Sequence, residues 1–121
     1  MNTPQMKALA RYLPSYRQGS LATLQGKDGT FSIQGVMCDV YRRAKQGGLW
    51  QENPVKHSNG MRFVVESGPW CVDAPEEVVK WYGLTPQQNT HLWELQASGY
   101  SFNQIAIAIE RALTKVGGME P

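Results

Sequence analysis

Four residues in this chain carry the chemistry that most often builds a site: Cys38, Cys71, His57 and His91. No two of them stand at a ligand spacing such as CxxC or HxxxH, so a metal site would need all four to converge from scattered positions. No metal and no cofactor is expected. The two thiols read as buried and reduced, because free cysteine is among the most interior residues and a cytosolic chain keeps it reduced. Nucleophilic chemistry needs a serine or cysteine held beside a base, and no GxSxG elbow frames one here. His57 with Cys71 stays open as a nucleophile–base pairing. Glu76 and Glu77 are adjacent, which on a helix points them about 100° apart rather than at a shared proton. The Gly26-Lys27-Asp28-Gly29 segment lacks both the GxxxxGK run and the strand-to-helix frame of a phosphate loop. The chain reads as non-catalytic.

Binding chemistry is better represented. Residues 1–62 hold nine Lys or Arg against three acidic residues, a net +6, while residues 63–121 hold three against seven, a net −4. A basic patch built from Arg11, Arg17, Lys27, Arg42, Arg43 and Lys45 would meet phosphates, with Tyr16, Tyr41 or Trp50 stacking on bases. The bland alternative is a solvated face, with Tyr41 in the core beside Met37 and Ala44. Four tryptophans, Trp50, Trp70, Trp81 and Trp93, are many for 121 residues. Tryptophan is rarely buried completely and is favoured at protein interfaces, so Trp93, Trp50 and Trp70 are the protein-binding candidates. On a helix over 86–97, Leu92 and Leu95 take the apolar face and Trp93 projects about 100° away from it, either onto the surface or, as the bland alternative, against a neighbouring helix.

The last third, from Thr85 to Lys115, reads as two helices joined by a short turn. Its Leu, Leu, Gly, Ser, Ile-Ala rhythm is that of a helix-turn-helix, which raises the question of DNA reading. A reading helix needs side chains that reach base edges and several cations for phosphates. The second helix offers Asn103 and Gln104 near its start, but only Arg111 and Lys115 as cations, offset by Glu110. Ser101 and Gln104 are also explained as a capping box, with Tyr100 placed to staple onto Ile105.

The positioning elements follow from the same rules. Thr3-Pro4 opens a helix carrying Met6, Leu9, Ala10 and Leu13, which Pro14 stops. Leu21 to Gln25 and Thr30 to Gln34 flank a glycine turn and read as a hairpin. Gly35 releases the chain into a helix with Met37, Val40, Tyr41 and Ala44 on one face and Arg42, Arg43 and Lys45 at its negative end. Leu49 to Gly60 shows no periodicity and reads as a loop. Met61 to Ser67 and Trp70 to Val72 read as strands around Gly68-Pro69. Asp73 with Glu76, Thr85 with Gln88 and Ser101 with Gln104 mark three helix starts. The expected fold is a single α+β domain: a small antiparallel sheet of about three strands, an N-terminal helix, one central helix and a C-terminal three-helix group. No apolar run approaches the ~20 residues of a membrane span and no signal core opens the chain, so a soluble cytoplasmic protein is expected.

The segments GVMCDVYRRAKQGGLW, PEEVVKWYGL and LWELQASGYSFNQIAIAIE carry a resemblance. The chain resembles a family of small uncharacterised phage and bacterial proteins with a Gly-Val-Leu-Cys-Asp-Leu-Tyr core and a closing Leu-x-x-Leu-x-x-x-Gly-x-Ser-Phe-x-x-Ile-Ala helix pair. Tyr16, Gln18, Gly19, Gly35, Val36, Cys38, Asp39 and Tyr41 match in the first half. Trp81, Gly83, Leu84, Gly99, Ser101, Phe102, Ile105 and Ala106 match in the second. Ser32 and Ile33 stand where the family often has paired cysteines. The resemblance implies a phage or prophage setting, a host or phage protein as partner, and no known activity. The expectation is a non-catalytic protein-binding accessory protein in the host cytoplasm, with a host enzyme or defence system as the target the resemblance implies; the alternative is nucleic-acid binding through the basic half.

Overall fold

The computed structural model describes residues 1–54 and 60–119, with side chains described through Thr114. The chain forms helix α1 (Thr3–Tyr12), a 3-10 turn (Leu13–Ser15), strand β1 (Gln25–Gly26) and helix α2 (Ile33–Arg43). Strands β2 (Leu49–Glu52), β3 (Gly60–Val65) and β4 (Gly68–Trp70) follow, then helices α3 (Glu76–Trp81), α4 (Pro86–Ala97) and α5 (Phe102–Met119). The fold is α+β, with a small antiparallel sheet and five helices among the described residues.

Strand β3 is the centre of the sheet. β2 lies along one side of it, with Leu49 opposite Val64 and Trp50 opposite Phe63. β1 and β4 share the other side, β1 opposite Gly60 and Met61 and β4 opposite Phe63 to Val65. Helix α2 is the centre of the core, its residues Ile33 to Val40 all buried. Of the last three helices, α3 and α4 pack on α2, and α5 packs on α1 and the 3-10 turn. No helix among the described residues is long and apolar enough to cross a membrane.

The segment before α2 departs from the expected hairpin. Gln25 bridges Phe31 across the glycine turn, but the returning arm ends there, because Ser32 caps α2 by accepting from the Gly35 N–H at 3.1 Å. The helix therefore starts at Ile33, two residues before the glycine expected to release it. Gly35 is needed inside the helix, since a Cβ there would overlap the Leu24 carbonyl oxygen. Leu49–Glu52, expected as part of a loop, is strand β2. Ala44, expected on the apolar face, is the exposed C-cap.

Helix starts also sharpen. Asn2, not Thr3, precedes α1, and its side chain is used on another element: its amide donates to the Trp81 carbonyl at 2.8 Å and its N–H to the Tyr82 carbonyl at 2.7 Å. These contacts close the end of α3, where Gly83 takes the left-handed φ of +69° that ends helices. Pro75, rather than Asp73, stands at the start of α3, and no side chain caps it. Of the three expected capping pairs the other two form: Gln88 N–H to Thr85 Oγ1 at 3.1 Å and Gln104 N–H to Ser101 Oγ at 3.2 Å, each returned by the glutamine oxygen. Tyr100 stays exposed before its cap.

Three glutamines tie these elements together, and pattern reasoning has no signal for them. Gln96 accepts from the Ile33 N–H at 2.7 Å and donates to the Gly19 carbonyl at 2.8 Å. Gln18 accepts from the Phe102 N–H at 2.8 Å and donates to the Tyr100 carbonyl at 3.0 Å. Gln34 accepts from the Ala74 N–H at 3.2 Å and donates to Asn89 Oδ1 at 2.8 Å. Two of these bonds satisfy the orphan donors of the first turns of α2 and α5, which otherwise lack partners inside the fold.

Candidate functional site

Two polar constellations flank α2. The first centres on Asp39, which is only 3% exposed although its side chain is a carboxylate. Its Oδ1 accepts from Arg42 Nε at 3.0 Å, Arg42 Nη2 at 2.9 Å and Trp50 Nε1 at 2.9 Å. Its Oδ2 accepts from the Tyr16 hydroxyl at 2.6 Å and Arg43 Nε at 3.1 Å. The Arg43 guanidinium lies 5.5 Å from the centre of the Tyr16 ring, and Tyr16 and Trp50 both stack edge-on against Phe31.

The electrostatics follow from that geometry. Burial alone would raise the Asp39 carboxyl, but the hydrogen bonds from Tyr16, Trp50 and Arg42 and the Arg42 charge outweigh it and hold it below its ordinary value. The same bond has the opposite effect on its partner: burial, then the bond to Asp39, push the Tyr16 hydroxyl well above the usual tyrosine range. Five donors meet two oxygens, which have about four lone-pair positions between them. Asp39 therefore has no lone pair to offer a substrate proton or an ion. The cluster fastens the loop after α1, α2 and β2 to one another.

This cluster and its surroundings account for most of the basic residues the sequence singles out. Arg42 and Arg43 are held by Asp39, Lys27 pairs with Glu52 at 3.4 Å, and Arg17 donates to the Asp28 carbonyl at 3.3 Å. Arg11 lies against the Tyr12 ring, 5.9 Å from its centre. Lys45 is exposed at the end of α2, where it takes a left-handed φ of 61°. Tyr16 and Trp50, the proposed stacking surfaces, are half-buried with their faces in ring contacts and their polar atoms on Asp39. Tyr41 packs edge-on against Phe63 and Trp81.

The second constellation is a small polar notch beside α4. It has a volume of about 150 Å³ and is lined by Gln34, Asp73, Asn89, Thr90 and Trp93. Gln34, 1% exposed, sits at its floor with both ends of its amide bonded, one to the Ala74 backbone and one to Asn89. Trp93 is 37% exposed and, among the described residues, has no hydrogen bond and no ring contact. Its neighbour Leu92 is buried, as the helical spacing requires.

The other candidate tryptophans are placed differently. Trp50 is bound to Asp39 and packed at 4.9 Å against Phe63, and Trp70 donates to Ser67 Oγ at 3.0 Å on the β4 side of the sheet. No family model matches the chain, and neither a curated protein nor a solved structure does. A larger groove of about 360 Å³ lies between α4 and α5, lined chiefly by aliphatic side chains such as Leu84, Leu92, Leu95 and Ile109. It offers area but little directional chemistry.

Of the residues weighed for catalysis, Cys38 is buried and its thiol is pushed well above the usual range by burial and by the nearby Asp39 charge. Cys71 is half-buried rather than interior, and Asn53 lies 3.4 Å from its sulfur. His57 lies outside the described residues, and with it the His57–Cys71 pairing. Glu76 pairs with Lys80 at 3.0 Å and Glu77 accepts from Ser67, so the two adjacent carboxylates serve separate partners. In the helix pair, Gln104 is engaged in the cap of α5 and Phe102, Ile105 and Ala106 are core, so that face of α5 is scaffold.

Proposed function

We propose that this chain is a non-catalytic protein-binding module whose contact surface is the outward side of α4 around Trp93. The observation that carries this reading is the state of that one indole: of four tryptophans it alone is exposed, and it borders open polar groups. Large amphipathic rings of this kind supply most of the binding energy at protein interfaces, because they bury much area at low entropic cost. A host enzyme or defence protein is the partner class that the resemblance to small phage and bacterial proteins suggests. Nucleic-acid binding has less support, since five of its six candidate cations already hold internal partners.

The test sets two measurements side by side. Immobilised wild-type protein and its Trp93→Ala variant are exposed to bacterial lysate; proteins retained by the first and released by the second are the expected result. Wild-type protein is also run on heparin across a salt series, where weak retention is expected. Tight, steeply salt-dependent retention that Arg17→Ala with Lys45→Ala abolishes would replace this reading with the nucleic-acid one. Both substitutions leave the Asp39 cluster intact.

A further inference from the structure

The notch beside Trp93 has a chemical character that narrows what the partner must present. We infer that it takes the cationic end of a lysine or arginine side chain from the partner protein, an inference that rests on the protein-binding reading above. The sign of charge is the first reason: Asp73 is the sole charged residue in the lining, and residues 63–121 carry a net −4. Asp73 is also uncommitted. It is not the cap of α3, and among the described residues no Lys or Arg pairs with it, Lys80 being held by Glu76. The indole is the second reason, since a cation within about 6 Å of a tryptophan ring centre is attracted by the ring's negative face.

The acceptors of the notch suit such a group. Lysine and arginine heads bring donors and no acceptors. The notch offers them the Asp73 carboxylate, the Thr90 hydroxyl and the second lone pair of Asn89 Oδ1, whose first is taken by Gln34. Size decides against a whole metabolite. At about 150 Å³ the notch is well under the roughly 300 Å³ where small-molecule pockets begin, so it fits the end of one side chain. It is also preformed: buried Gln34 is bonded to the Ala74 backbone on one side and to Asn89 on the other, fixing the Asp73 segment relative to α4.

Nitrogen-15 indole N–H signals give a direct readout, with Trp93→Phe identifying the Trp93 peak among the four. Full-length protein is titrated separately with N-acetyl-arginine amide, N-acetyl-lysine amide, N-acetyl-glutamate amide and a neutral hexose. The expected result is a saturable shift of the Trp93 peak alone with one or both cationic amides, weakened about two- to five-fold by Asp73→Asn. Equal shifts with the glutamate amide or the hexose would overturn the inference, as would an unmoved peak with both cations. Thermal melts of Asp73→Asn establish that the variant is folded when it is compared. The lysate capture separates the two readings. Partners that depend on Trp93 beside a peak that ignores cations sink this inference and leave the protein-binding reading standing. A peak that answers cations beside captures indifferent to Trp93→Ala removes the protein-binding reading.

Discussion

Helix α2 has a polar cluster on each flank, and the two are built to opposite ends. Around Asp39 every strong polar atom is matched: a buried carboxylate faces five donors from Tyr16, Arg42, Arg43 and Trp50. Around Trp93 the buried member, Gln34, is matched, but Asp73, Thr90 and the indole are left open to solvent. The difference teaches that charge density in a sequence is a poor guide to which polar groups the fold leaves open. The basic half engages several of its cations with acceptors of its own, whereas the notch in the acidic half leaves Asp73 and Trp93 without such partners among the described residues. Substitution at the two clusters should therefore separate stability from binding.

The largest effect belongs to Asp39. Asp39→Ala removes the acceptor for Tyr16 and Trp50, both half-buried, and should cost about 3 kcal/mol, read as a lower urea midpoint with an unchanged slope. A loss under about 0.5 kcal/mol would show that water replaces the carboxylate freely, and the contrast between the clusters would fail. The pH profile gives the same cluster a signature. Asp39 titrates lower in the folded chain than unfolded, so its contribution is full above its unfolded value of about 4 and is lost as pH falls through the folded one. Tyr16 titrates higher when folded, so its contribution is full below about 10 and is lost as pH rises beyond it. Asp39→Asn should flatten part of the acid limb; Asp28 and Glu77, also lowered, keep the rest. Tyr16→Phe should flatten part of the alkaline limb, with Tyr41 and Tyr82 retaining theirs.

Tyr16→Phe also isolates one bond of the five. A hydroxyl donating to a charged acceptor at 2.6 Å should contribute about 1.5 kcal/mol, so the variant should sit midway between wild type and Asp39→Ala in urea. Arg43→Ala should cost less, about 0.5 to 1 kcal/mol, because its guanidinium is largely in solvent and its pairing is screened. If Arg43→Ala costs as much as Asp39→Ala, the cluster depends on the Arg43 ion pair rather than on the donors from Tyr16, Trp50 and Arg42.

The cluster itself was only half visible from the chain. Arg42 and Arg43 follow Asp39 at helical spacings of three and four, which announces local ion pairs, but Tyr16 and Trp50 reach it from 23 residues before and 11 after. Local rules did well where the chemistry is local: the capping boxes at Thr85 and Ser101, the apolar stripe of α1 and strand β3; the turn, by contrast, falls at Glu66-Ser67 rather than Gly68-Pro69, so β4 is Gly68–Trp70 and not the expected Trp70 to Val72, because Gly68 and Pro69 pair with Val65 and Val64. They failed where a tertiary contact overrides propensity. The Ser32 cap of α2 is itself a local signal, which the start expected at Gly35 passes over, but the Ile33 N–H of that start is met only by Gln96, 63 residues away. β2 has too little alternation to announce a strand, and only its register against β3 makes it one. That Trp93 leaves the apolar face of α4 was legible from its place after Leu92, but its exposure and the notch were not, since packing against a neighbouring helix fits the same spacing and Gln34, Asp73 and Asn89 meet only through the fold.

The smallest expected effect is the most discriminating. Trp93→Ala removes a large aromatic side chain, and from a core position that would cost about 3 to 5 kcal/mol. On the outward side of α4 it removes no hydrogen bond and no ring contact among the described residues, and alanine is the stronger helix former. The urea midpoint should therefore move by no more than about 0.5 kcal/mol, while the proteins captured by wild type are lost. A destabilisation near 2 kcal/mol would instead make Trp93 a packing residue, in which case loss of capture would report unfolding. The double variant with Asp73→Asn then completes the comparison: two open residues at one notch should change stability additively and almost not at all, whereas Tyr16→Phe with Arg43→Ala, sharing one carboxylate, should depart from additivity.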